Sequence, residues 1–168
     1  MKITATRRLQ FAIGHRIVQH ESKCRHLHGH NFVFFLTTEA DVRRPPHGGF
    51  VLADGRELDS LGRVIDFGVL KAKLGGWLEA NWDHGFVLWE KDQAGQLGLD
   101  KFEQEEHLAT QDLGFEQKLF LLPYNPTAEN LARYLLEVVG PQVLEGSGVR
   151  LVRVDVDETE NGRATATL

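Results

Sequence analysis

The sequence predicts an α+β fold from three observations. Two β-branched and aromatic runs open the chain, two stretches with helical apolar spacing and caps follow, and an alternating pair around Asn161-Gly162 closes it. At 168 residues and 42% hydrophobic, the chain fits one domain spanning 1–168, large enough to bury a core without disulfides.

Residues 2–13 hold alternating short apolar runs without helix caps, which predicts a strand with His15 at or just past its end. A connection over 16–25 leads to a second strand, about 29–40, through Asn31-Phe32-Val33-Phe34-Phe35-Leu36-Thr37-Thr38. Antiparallel pairing of the two brings His15 to the same end as His28 and His30. Residues 41–61 are turn chemistry, with Pro45-Pro46, Gly48-Gly49 and Asp54-Gly55 around a short strand at Phe50-Val51-Leu52. Residues 61–65 read as a brief extended piece before Asp66, an N-cap.

Phe67, Leu70, Leu74, Trp77, Leu78 and Trp82 then keep helical spacing despite Gly75-Gly76. Asp83-His84-Gly85 ends that helix, and Phe86-Val87-Leu88-Trp89 reads as a short strand or extended segment. Residues 90–118 are charged and lack a clean period, which predicts a surface insertion. Leu119-Phe120-Leu121-Leu122 is an apolar run stopped by Pro123. Asn125-Pro126-Thr127-Ala128-Glu129 starts a second helix, with Leu131, Tyr134, Leu135 and Val138 on one side and Gly140-Pro141 closing it. Residues 149–158 and 163–168 form a hairpin.

Composition narrows the function classes. The apolar runs fall far short of the roughly 18 residues of a membrane helix. The lone cysteine makes no intrachain disulfide, and the chain opens without a secretion signal, so a cytoplasmic setting is expected. A net charge of -5 with scattered Lys and Arg argues against nucleic acid as a partner, while leaving room for an anionic small molecule.

The chemistry concentrates in Cys24-Arg25-His26-Leu27-His28-Gly29-His30. Side chains two apart on a strand share a face, so His28 and His30 form a two-ligand edge that seeks a third. His15 and His26 both qualify by spacing. An isolated HxH pair is as often a polar strand end as a ligand set; a second histidine and a cysteine nearby favour ligation. Imidazole donors suit zinc, and three protein ligands leave a fourth position open. Cys24 has three readings: an inert buried thiol, a fourth ligand, or a thiolate activated by Lys23, Arg25 and a metal. Asp83-His84 is an orienter-and-base pair, and Glu158 alone reads as a solvated strand-end acid. His20, His47 and His107 fall in turn-rich or charged stretches and read as solvent-exposed.

Together these residues resemble the 6-pyruvoyltetrahydropterin synthase family, and more closely its bacterial 6-carboxytetrahydropterin synthase branch. The likeness runs in order through Phe11-Ala12-Ile13-Gly14-His15-Arg16, Cys24-x-x-x-His28-Gly29-His30, Val64-Ile65-Asp66-Phe67, Asp83-His84, Asn125-Pro126-Thr127-Ala128-Glu129-Asn130 and Glu158-Thr159. It implies a tunnelling fold (T-fold): a four-stranded antiparallel sheet with two helices on one face, assembled into an oligomeric barrel. The resemblance further implies zinc on His15, His28 and His30, with Cys24, Asp83, His84 and Glu158 catalytic. Thr127, Glu129 and Glu158 would bind a pterin triphosphate. The expected assembly is a homohexamer, a dimer of trimers with active sites between subunits. Trp82 departs from the family's common Leu, and the segments 43–61 and 90–118 are enlarged relative to compact members.

Overall fold

The computed structural model describes residues 1–43, 49–110 and 117–168. In chain order its strands are β1 (Lys2–His15), β2 (His28–Arg43), β3 (Phe50–Leu52), β4 (Glu57–Asp59), β5 (Gly85–Trp89), β6 (Leu119–Leu122), β7 (Arg150–Thr159) and β8 (Gly162–Thr167). The antiparallel order β1-β2-β7-β8 is the T-fold sheet. Beyond it, β3 and β4 make a small hairpin off the end of β2, and β5 and β6 continue the sheet past β1 in parallel.

Alternation gives the sheet two unlike faces. Leu9 and Ile13 of β1, Phe32, Phe34 and Leu36 of β2, and Val154 and Val156 of β7 point to the buried side. The opposite side carries ion pairs such as Arg153 with Asp155 and Arg163 with Asp157.

Two helical runs cover the buried face. The first, 67–81, starts where the Asp66 carboxylate accepts from the Gly68 N–H at 2.6 Å. The second, 128–143, starts where the Thr127 hydroxyl accepts from the Asn130 N–H at 3.3 Å. Leu70, Leu74, Leu78 and Trp82 are buried at every fourth position, as are Leu131, Leu135 and Val139. Spacing of four drifts about 40° per step on a 3.6-residue helix. Each run contains a π-wound turn, Lys71–Gly75 and Leu135–Val139, whose extra residue cancels that drift and keeps one stripe on the sheet.

Two expectations change and two are filled in. Residues 61–65 are a turn rather than extended, because Arg63 is held by both Asp59 and Asp66. The second covering helix runs through Gly140-Pro141 to Val143, the widened turn before Pro141 accommodating a ring that would clash in a regular helix. The insertion contains a helix, Gln93–Thr110, started by Asp92, which accepts from the Gly95 N–H at 3.0 Å. The run Leu119–Leu122 is a strand, β6, whose Phe120 packs on Trp82. His47 and the His107 side chain lie outside the described residues. His20 is half-buried, its Nδ1 accepting from the Ser22 N–H at 3.0 Å.

Gly14 fits only because it lacks a side chain: a Cβ there would lie 2.5 Å from the Phe86 ring. Gly14→Ala should cost about 1–3 kcal/mol, read as a lower urea midpoint. The cost should shrink in a Phe86→Ala background; an equal cost in both backgrounds would refute the clash.

Candidate active site

The β1–β2 ladder places His15 directly opposite His28, and Ile13 opposite His30. All three histidines lie on the helix-covered face, with ring centroids 4.5 Å (His15–His28), 5.4 Å (His15–His30) and 5.0 Å (His28–His30) apart. One nitrogen from each lies within 4.8 Å of the others. His26 is exposed and stays out; its carbonyl instead accepts from His28 Nδ1 at 2.7 Å.

The rings are fixed from behind. His15 Nδ1 donates to the Pro126 carbonyl at 2.9 Å, which turns Nε2 toward the other histidines. Asn125 holds that carbonyl's loop against the strand end, accepting from Val18 N–H at 2.9 Å and donating to Val18 O at 3.1 Å. His15 Nε2 and His28 Nε2 are buried without a hydrogen-bond partner.

Glu158 shares this face with Val154 and Val156, at a bulge between β7 and β8. Its Oε1 lies 3.3 Å from His15 Nε2 and 3.9 Å from His30 Nε2. Burial pushes the His15 pKa down to about 4, with the Pro126 hydrogen bond opposing and the neighbouring imidazoles adding to the fall. Burial also lowers that of His30, against the pull of Glu158. Neutral His15 therefore aims a lone pair at a carboxylate oxygen 3.3 Å away. A cation held between the imidazoles relieves that repulsion and satisfies both orphaned nitrogens, so the donor set fits a metal of zinc type.

The other expected site residues are distributed. Cys24 is half-buried in a 3-10 turn, Lys23–Arg25; its carbonyl accepts from Ile17 N–H at 2.8 Å, and its thiol is not among the clustered donors. Asp83 Oδ1 accepts from the Ala12 N–H at 3.0 Å, and Oδ2 accepts from His84 Nδ1 at 2.8 Å. The adjacent pair meets because His84 has a positive φ of 52°, which turns its ring back to Asp83. The His84 side chain is 81% exposed and lines a groove with Ala12, Gly14, Gly29 and Asn31, on the open face of the sheet. Thr127 is the helix cap, and Glu129 is exposed in the first turn. The clamp by Asn125 and the Pro126 carbonyl was concealed within a motif that reads as a helix start.

The fold and the clustered donors define a T-fold chain with a three-histidine centre able to hold a metal. The chain belongs to the 6-pyruvoyl tetrahydropterin synthase family, whose family model matches residues 4–167. It is 34% identical to a 6-carboxy-5,6,7,8-tetrahydropterin synthase of Rickettsia bellii, over 95% of this chain and 96% of that one. The Rickettsia felis protein of the same name is 32% identical over the same shares. Among solved structures, an uncharacterized Wolinella succinogenes protein matches with TM-score 0.71 and 22% identity, covering 99% of this chain and 98% of that one. The Caenorhabditis elegans 6-pyruvoyl tetrahydropterin synthase matches with TM-score 0.58 and 21% identity, covering 100% and 96%.

The His15 shift sets a pH dependence for the metal-free protein. The unfolded chain binds a proton near pH 6.5 that the folded chain takes up only near 4, so stability is full above about 6.5 and falls below it. The expected loss is about 3 kcal/mol by pH 4. Urea midpoints at pH 7.5 and 4.5 should show most of it, and His15→Gln should flatten the profile; an unaltered slope would contradict the assignment.

Proposed function

We propose that this chain is a zinc-dependent 6-carboxy-5,6,7,8-tetrahydropterin synthase acting in the cytoplasm. It would convert 7,8-dihydroneopterin triphosphate and water to 6-carboxytetrahydropterin, acetaldehyde and triphosphate, a lyase-type step toward queuosine and related 7-deazaguanines. The observation that carries this reading is the convergence of three imidazole nitrogens beside the Glu158 carboxylate. It is supported by the relatives that bear the 6-carboxy name at 34% and 32% identity.

His15, His28 and His30 would hold the zinc. When bound, it supplies a Lewis acid for the substrate's side-chain hydroxyls and the protons beside them. Glu158 accepts hydrogen bonds from the pterin amino and ring N–H groups, with Thr127 and Glu129 supporting that pocket. Cys24 as thiolate takes a side-chain proton, and His84, oriented by Asp83, returns or relays protons. Triphosphate then leaves, and hydrolytic cleavage of the side-chain carbon–carbon bond, consuming one water whose oxygen enters the carboxyl group, releases acetaldehyde and leaves the 6-carboxyl group.

The working unit would be a homohexamer, a dimer of trimers. Leu119 and Leu121 are 38% and 44% exposed on the edge strand β6, the kind of open edge that assembly covers. His84, exposed on the sheet face opposite the three histidines, fits a centre shared between subunits.

Zinc-loaded protein incubated anaerobically with 7,8-dihydroneopterin triphosphate should yield a 6-carboxylated pterin and acetaldehyde, identified by mass and by aldehyde assay. A 6-pyruvoyl product would move the chain to the sister activity, and bound zinc without turnover would favour a binding paralogue. Cys24→Ala should retain zinc and lose at least about 10²-fold in turnover; retained activity would remove the thiolate from the mechanism.

A further inference from the structure

We propose that Lys118, at the end of the inserted segment, is a positioning residue that holds the Asp83–His84 turn in shape. This rests on the proton-relay role of His84 proposed above. The argument begins at the end of the first helix. The Asp83 N–H passes over Glu79 and bonds to the Leu78 carbonyl at 2.9 Å, which leaves the Glu79 carbonyl without its regular helical donor. Lys118 Nζ takes that place, donating to the Glu79 carbonyl at 2.9 Å and to the Asp83 carbonyl at 2.8 Å. An ammonium is well suited to a helix C-terminus, where carbonyl dipoles gather negative potential.

The backbone of Lys118 grips the other side of the same turn. Its carbonyl accepts from the Phe86 N–H at 2.8 Å, and a Cβ on Gly85 would lie only 2.8 Å from that oxygen. Lys118 thus fastens the chain immediately before and shortly after His84. That matters because His84 sits at a φ of 52°, a conformation a non-glycine residue keeps only where its surroundings impose it. The ring itself is 81% exposed, with Asp83 Oδ2 as its hydrogen-bond partner, so its direction is set by the turn.

The inserted segment is anchored at its other end as well. Buried Asp92 lies with Oδ2 2.8 Å from Arg16 Nε, an ion contact without an aligned N–H, and Arg16 directly follows His15. The insertion between β5 and β6 is therefore fastened beside both parts of the candidate site, once next to His15 and once next to His84.

Lys118→Met keeps the length and apolar stem while deleting the charge and donors. It should move or broaden the His84 Nδ1–H resonance in ¹⁵N-histidine-labelled zinc-loaded protein, lower kcat about tenfold, and leave KM within about twofold. Lys118→Arg should restore both. An unchanged His84 resonance in Lys118→Met overturns the proposal, whatever happens to turnover. His84→Ala separates this from the reading beneath it: full activity there would remove His84 from the chemistry, while the resonance would still decide whether Lys118 positions the ring.

Discussion

The centre depends on the register of one ladder. β1 and β2 pair without interruption from Lys2↔Asp41 to His15↔His28. A slip of one residue would turn His28 and His30 to the open face and Phe32, Phe34 and Leu36 to solvent, so the aromatic core and the donor cluster are specified by one constraint. Leu9↔Phe34 and Phe11↔Phe32 face each other under the helices. Gly14 lies opposite Gly29, and the Phe86 ring of β5 covers Gly14 where a side chain would stand.

Holding three imidazoles beside a carboxylate, one fully buried and two half-buried, costs free energy that the rest of the fold must offset. His15 is fully buried, and its Nε2 and that of His28 lack hydrogen-bond partners. Unsatisfied buried nitrogens are expensive, on the order of 1–3 kcal/mol each. The hydrogen bonds to the Pro126 and His26 carbonyls could as easily have come from water, yet they fix both rings with their free nitrogens inward. A cation held there would offset that cost, and the lowered pKa values of His15 and His30 keep protons from competing for the same lone pairs.

Much of this was legible in the sequence because it is periodic or local. Two-residue alternation put His28, His30, Phe32 and Phe34 on one face, and Asp66 and Thr127 marked helix starts by their capping side chains. What escaped depends on partners far along the chain. The helix Gln93–Thr110 contains Gly95 and Gly98 and leaves Leu97 60% exposed while Leu99 is buried, so its period is weak; the start was written only in Asp92, which also reaches back to Arg16. Leu119–Leu122 was visible as an apolar run, but its parallel partner β5 was not, since nothing local distinguishes a parallel neighbour from an antiparallel one. Proline at 141 read as a stop because a widened turn, which makes room for the ring, leaves no mark in the sequence. The choice of His15 over His26 followed from family likeness rather than from spacing; pairing opposite His28 gives its physical reason.

Trp82 ties the segment between β5 and β6 to the residues of the candidate site. The residue is fully buried between Phe34, Trp77, Phe120 and Tyr134, with ring centroids 5.3–6.2 Å away. Phe120 comes from β6, so the indole supplies apolar surface on which the returning insertion docks. Asp83 follows directly. The same short stretch thus presents a ring inward to receive the insertion and a carboxylate to hold the His84 imidazole, with Ala12 of β1 fixing that carboxylate in turn. An insertion that packed elsewhere would leave this junction exposed at the sheet edge; docked on Trp82, it leaves the indole fully buried.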